Sequence, residues 1–215
     1  IRSRVPSERS DASMNVAVPR SHVAPPRVGL LGGSFNPAHE GHLHISLEAL
    51  KRLQLDEVWW LVSPQNPLKS RSGMADLADR FDSARMMAKH PRIVVSAIET
   101  DLGTRYTAAT LAALHRRFTR TKFVWLMGAD NLAQFHKWKW WERLILRAPI
   151  AVIDREGYSN KALSGTAARR MERWRIPMDK AGLLADLKVP AWVYLPIKRH
   201  PASSTAIRAE GRWQV

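Results

Sequence analysis

No cysteine occurs among the 215 residues. That excludes disulfides and thiolate metal sites, and a reducing cytoplasm is the simplest compartment for such a chain. Long apolar runs are missing too. Nothing approaches membrane-spanning length and no signal-peptide core appears, so a soluble protein with no membrane partner is expected. Acidic residues are few, 19 against 34 lysines and arginines, which leaves a formal charge of +15. Such a balance fits a polyanion partner, and it fits an enzyme whose substrates carry several phosphates equally well. The cations are scattered through 116–122, 137–147, 161–180 and 198–208. No nucleic-acid-binding motif accompanies them, so a phosphate-bearing small molecule is expected ahead of a nucleic acid.

Residues 1–26 are rich in Ser, Arg and Pro and lack apolar periodicity, which reads as a disordered lead-in. Glu8 and Asp11 argue against a transit peptide, and Met14 reads as nearer the start than Ile1. Residues 27–215 alternate strand and helix. Strands are expected at Arg27–Leu31, Glu57–Val62, Arg92–Ser96, Lys122–Met127, Ile150–Ile153 and Ala191–Leu195. Helices are expected at Glu40–Leu53, Asp76–Lys89, Thr107–Phe118 and Trp138–Leu146, with one more, Gly165–Trp174, inside the polar stretch Arg155–Lys188. Strict alternation implies an α/β, Rossmann-like, doubly wound parallel sheet with helices on both faces, in a single domain. No internal repeat competes with it.

The corner after the first strand is the chemically richest stretch: Gly32-Gly33-Ser34-Phe35-Asn36-Pro37-Ala38-His39-Glu40-Gly41-His42. A glycine-rich turn there hands a buried strand to an amphipathic helix. In an open parallel sheet that is a usual ligand position, and the first turn of the helix favours phosphate. His39 and His42 lie three apart, share a helix face, and can together donate to phosphate oxygens. For a lone histidine a helix cap or a surface position is the plainer reading. The pair behind Gly-Gly-Ser favours chemistry, and without a third matched ligand it is not a metal site.

These residues resemble the signature of the nucleotidyltransferase superfamily with the His-x-Gly-His motif, and within it the bacterial nicotinate-nucleotide adenylyltransferases. Ser203-Ser204-Thr205-Ala206-Ile207-Arg208 is similar to that family's Ser-Ser-Thr-x-[Ile/Leu]-Arg segment, and Gly128-Ala129-Asp130 and the Trp138 region match in order and spacing. The resemblance runs from Val28 to Arg208. It implies transfer of AMP from ATP to nicotinate mononucleotide, giving nicotinate adenine dinucleotide and pyrophosphate in NAD biosynthesis. Mg²⁺ would arrive with ATP.

The resemblance also implies roles. His39 and His42 would be catalytic. Gly32, Gly33, Ser34, Phe35, Gly128, Asp130, Ser203, Ser204, Thr205 and Arg208 would bind ATP, the glycines by letting backbone approach the triphosphate. The hydroxyls and N–H groups of Ser203–Thr205 and the fork of Arg208 would hold its β- and γ-phosphates. Asn66, Lys69, Tyr106, Thr107 and Trp138 would bind the mononucleotide, with Lys69 at its phosphate and the Trp138 indole on its pyridine ring. Arg105 departs from the family's Ser-Tyr-Thr, and Asn36 stands where family members commonly carry Asp and receives no catalytic role. Two alternatives stay open. One is the same chemistry on nicotinamide mononucleotide or another phosphate-bearing acceptor such as phosphopantetheine; the other is a nucleic-acid-binding protein that kept the fold without the activity.

Overall fold

Strand β1, Arg27–Gly33, is buried through Val28–Leu31, and β2, Glu57–Val62, is buried through Val58–Val62. Continuous burial is what a central parallel strand requires, since helices cover both of its faces. The computed structural model describes residues 24–64, 73–155, 159–198 and 200–213. Most of the expected lead-in lies outside the described residues.

The remaining strands are β3 (Ile93–Ser96), β4 (Lys122–Gly128), β5 (Ile150–Arg155), β6 (Arg175–Ile176) and β7 (Trp192–Ile197). Together they form a seven-stranded sheet in the order β3-β2-β1-β4-β5-β7-β6, and every recorded pairing is parallel. The helices are α1 (Glu40–Arg52), α2 (Leu77–Met87), α3 (Ile98–Asp101), α4 (Thr107–Arg117), α5 (Ala129–Gln134), α6 (Trp141–Ile145), α7 (Ser159–Leu163), α8 (Thr166–Met171) and α9 (Ser204–Ala209). The chain steps outward from β1 to β2 to β3, then returns to β4 on the other side of β1. The carboxyl ends of β1 and β4 therefore flank the topological switch point, where open α/β sheets bind ligands.

Two apolar layers sandwich the sheet. One gathers Leu111, Leu114, Leu132 and Met171 from α4, α5 and α8; the other gathers Ile45, Ala49, Leu50 and Ala84 from α1 and α2, with Leu184 from a 3₁₀ stretch at Met178–Asp186. Trp59, Trp60 and Trp192 are fully buried. Truncating any one would cost about 3–5 kcal/mol, a large part of the roughly 5–15 kcal/mol that holds a domain. The rigid strand ends beneath the site rest on this packing.

Two expectations change. Trp138 does not start a helix: it leaves a 3₁₀ turn, Phe135–Lys137, in extended conformation, and Trp140 sits left-handed at φ +59 before α6 begins. That path turns the Trp138 ring onto Phe135 and Trp125, at centroid separations of 5.4 and 6.4 Å. The helix expected at Gly165–Trp174 is present as α8 and the 3₁₀ turn Glu172–Trp174, but residues 159–186 also hold α7, β6 and the 3₁₀ stretch Met178–Asp186. Neither α7 nor α8 is long enough to display two turns of apolar periodicity.

Candidate active site

Gly32 and Gly33 close β1, and Phe35 follows with φ +46, a left-handed value uncommon for a side chain of its size. Burial holds it there: the Phe35 ring is 2% exposed, stacks on Trp60 at 5.2 Å and leans on the His42 ring at 4.8 Å. Only its backbone can face a nucleotide. A Cβ on Gly32 would stand 2.6 Å from the Trp125 ring, and one on Gly33 would stand 3.3 Å from Phe35. Glycine at position 32 therefore answers to the packing of Trp125 beneath the turn.

His39 is the N-cap of α1, and its Nδ1 accepts from Gly41 N at 3.1 Å. His42 reciprocates, its Nδ1 accepting from His39 N at 3.2 Å, so two imidazoles form the capping box that Ser and Glu form elsewhere. The ring centroids lie 3.9 Å apart. An Nδ1 that accepts a backbone N–H carries no proton, so each neutral ring bears its proton on Nε2. The cap thus sets the tautomer of both donors. Trp60 supports them from below, donating from Nε1 to Ser46 Oγ at 2.7 Å, while Ser46 Oγ donates to His42 O at 2.9 Å.

The segment before α9 closes over this corner. Ser203 caps α9, its Oγ accepting from Ala206 N at 3.1 Å. Ser204 Oγ donates to Pro37 O at 3.0 Å, so its proton is engaged with the His-x-Gly-His loop. Arg208 donates to Asn36 O, and Thr205 lies exposed. His39 and Ser203 both line a cavity of about 720 Å³ that is also bordered by Ser83, His200 and Trp213. Gly128 and Asp130 stand apart from it, at the end of β4. A Cβ on Gly128 would meet Asp130 Oδ1 at 2.3 Å, so the glycine is what lets that carboxylate fold back over the strand end.

The expected acceptor residues sit on the other face of the sheet. Tyr106 is the N-cap residue of α4 and Thr107 its first residue, and both are half-buried, as is Trp138. Lys139 bridges this side: its ammonium lies 4.7 Å from the Tyr106 ring centroid and 4.8 Å from that of Trp140. Asn66 and Lys69 lie outside the described residues. No helix among the described residues is long and apolar enough to cross a membrane.

The model of the cytidylyltransferase-like family matches residues 30–210. A Bradyrhizobium sp. (strain BTAi1 / ATCC BAA-1182) protein named probable nicotinate-nucleotide adenylyltransferase is 54% identical over 189 residues, which span 87% of this chain and 98% of that one. A Caulobacter sp. (strain K31) protein of the same name is 51% identical over 182 residues, spanning 85% and 96%. The chain belongs to the nicotinate-nucleotide adenylyltransferase family. Its fold is similar to that of the Plasmodium falciparum nicotinic acid mononucleotide adenylyltransferase, solved as complexes with NaAD and with APC. The TM-scores are 0.63 and 0.61 at 16% and 15% identity, each over 86% of this chain and 83% of the other.

Within this adenylyltransferase frame, three buried polar side chains escaped the sequence reading. Asn36, which received no role, is 5% exposed and ties three segments together. Its Nδ2 donates to Gly73 O at 2.8 Å, while its Oδ1 accepts from Ala75 N at 3.2 Å and from Trp213 Nε1 at 2.9 Å. A carboxylate could not donate to Gly73, so the amide suits this position. Arg80 is 1% exposed although it carries a charge. Its signal was its place on the apolar stripe of α2, three residues after Leu77 and four before Ala84.

Glu99, in α3, is the third. It is buried and accepts from Thr110 Oγ1 at 2.9 Å and from Ser63, which links the end of β2 to α4. Burial pushes its carboxyl above the ordinary value of 4.5, against the two hydroxyl donors that favour the charged form. Folding therefore keeps its full share of stability below that ordinary value and loses it as pH rises through the raised one. Glu99→Gln is expected to raise the melting temperature at pH 8 relative to wild type, with the gap closing towards pH 4. A melting series across that range checks it; a gap independent of pH would show that Glu99 ionises freely.

Proposed function

We propose that the protein transfers the adenylyl group of ATP to the phosphate of nicotinate mononucleotide, releasing pyrophosphate and giving nicotinate adenine dinucleotide for NAD biosynthesis. The observation that carries this reading is the reciprocally capped His39–His42 pair at the switch point, in a member of this enzyme family. A mononucleotide phosphate oxygen attacks the α-phosphorus of ATP, one P–O bond forms, and the bond to the bridging oxygen of pyrophosphate breaks. No protein nucleophile is required, so positioning and charge stabilisation supply the rate. The Nε2 protons of His39 and His42 are held where negative charge grows on the transferring and leaving phosphates. Arg208 and the Ser203–Thr205 segment form the β,γ-phosphate wall once ATP arrives.

Mg²⁺ enters with ATP as part of the substrate, held by phosphate oxygens. Among the described residues no group of three or more His, Cys, Asp or Glu side chains is gathered to hold a metal. Tyr106, Thr107 and Trp138 receive the pyridine side, and Lys69 the mononucleotide phosphate. The partners are small molecules rather than nucleic acid or membrane, and the cytoplasm is the site of action.

A pyrophosphate-release assay with MgATP and each mononucleotide tests the reading. Higher kcat/KM with nicotinate than with nicotinamide mononucleotide is expected. No release with either, together with salt-dependent RNA or DNA binding, would replace it with the nucleic-acid alternative. Trp138→Ala is expected to raise KM for the mononucleotide about tenfold, the scale of one lost aromatic stack, while KM for ATP stays within twofold. Equal rises in both constants would show that Trp138 acts only through Phe135 and Trp125.

A further inference from the structure

Arg80 is a buried cation whose hydrogen-bond partners among the described residues are all carbonyls. Its Nε donates to Ala75 O at 2.9 Å, one terminal nitrogen donates to Ser34 O at 2.7 Å and Ser63 O at 2.8 Å, and the other donates to Pro64 O at 3.2 Å. Those acceptors belong to three places that meet at the site: the Gly-Gly-Ser turn after β1, the exit of β2, and the residues leading into α2. Among the described residues no carboxylate lies within ion-pair distance of the guanidinium. Asp76 acts on it only at longer range, and burial pulls its pKa below the ordinary arginine value. An arginine keeps its proton under such conditions, so a net positive charge stays buried under the phosphate corner.

A buried charge without a counter-ion is costly, and a fold retains one where something offsets it. Four carbonyl dipoles and the more distant Asp76 carboxylate offset part. The rest of the countercharge has an obvious source, because the Ser34 end of this network is the turn that receives the phosphates. A planar fork is also the one cationic side chain that can bridge carbonyls on three segments in fixed directions; an ammonium on a flexible stem holds fewer, with less directional control.

We infer that Arg80 is the positioning residue of the phosphate corner: it locks the Gly32–Ser34 turn against the end of β2, and substrate phosphates balance its charge. This rests on the adenylyltransferase reading for its kinetic arm. In Arg80→Met, which keeps the bulk and removes charge and fork, KM for ATP and for the mononucleotide is expected to rise about tenfold at low salt. The gap should narrow as NaCl screens the lost attraction. In Arg80→Lys, which keeps the charge, KM is expected within threefold of wild type while kcat falls about tenfold, because the turn is no longer held.

The assay is pyrophosphate release at 25 mM and 300 mM NaCl, with melting temperatures and circular dichroism to confirm folding. A folded Arg80→Met with both KM values within twofold of wild type overturns the inference. So does an Arg80→Lys protein that matches the methionine variant in every constant. If the methionine variant fails to fold, the lysine variant decides, and an unchanged kcat overturns the assignment. A wild-type protein silent with both mononucleotides would instead indict the acceptor reading. In that case the melting-temperature shift produced by MgATP, larger in wild type than in Arg80→Met, still reads the role of Arg80.

Discussion

Alanine at position 39 or 42 is expected to lower kcat about a hundredfold or more, the usual scale for removing one donor from developing charge. A hundredfold is about 2.7 kcal/mol, whereas the loss of a helix cap costs about 1 kcal/mol of stability. The two roles of His39 therefore separate by magnitude and by measurement: the cap appears in the melting temperature, the donor in kcat. Asparagine sharpens the distinction. It ranks with the best N-cap residues, and its side-chain oxygen can accept from Gly41 N as His39 Nδ1 does. It carries no group at the position of Nε2. His39→Asn is therefore expected to recover most of the stability lost in His39→Ala while turnover stays down. Recovery of turnover along with stability would mean that His39 only caps α1 and that His42 works alone.

Cap and catalyst were opposing readings of His39 in the sequence; the structure shows the cap, and its geometry is compatible with the proposed catalytic role. The capping box directs both Nδ1 atoms to backbone N–H groups and thereby commits both protons to Nε2. Spacing alone displays a shared helix face, which is why the pair was legible; it cannot display which ring nitrogen the backbone occupies. The strands were legible for a related reason. Buried parallel strands are written as short, continuous apolar runs, and Glu57–Val62 and Lys122–Met127 could be little else.

Other features had no local signature. Gly32 sits in the expected place, but the contact that demands glycine there is with Trp125, ninety-three residues further on and one strand over. Trp140 adopts a left-handed conformation with no glycine or asparagine to announce it. Arg80 was marked only by its place on the apolar stripe of α2; its partners and those of Asn36 are carbonyls and amides of distant turns, and a sequence shows no trace of which carbonyls will lack partners. Long-range polar joinery becomes visible only once the chain is folded. The expected acceptor side sits between these cases: Tyr106, Thr107 and Trp138 were assigned by resemblance, and the cation of Lys139 docked between Tyr106 and Trp140 had no such pointer.

Gly41 stands where these arguments meet, and Gly41→Ala is expected to be nearly as damaging to turnover as losing His39. The added methyl carbon would lie 2.8 Å from both Nδ1 and Cε1 of His39 and 3.2 Å from Ala202 O. Glycine is not needed for its φ here, since it lies inside α1 and alanine is the better helix former by about 1 kcal/mol. Propensity therefore favours the variant, and only the site opposes it. The imidazole cannot yield without giving up its bond to Gly41 N, and Ala202 O belongs to the backbone that leads into the Ser203 cap of α9. Movement of either separates the histidine pair from the phosphate wall, and a 1 Å displacement in a positioning site costs about a hundredfold. The expected signature is a folded protein with a melting temperature within a few degrees of wild type and kcat reduced about a hundredfold, with far-UV circular dichroism unchanged. Wild-type kcat in Gly41→Ala would mean that the His39 ring and the 202–204 backbone give way freely, and that the capping geometry does not hold the catalytic proton.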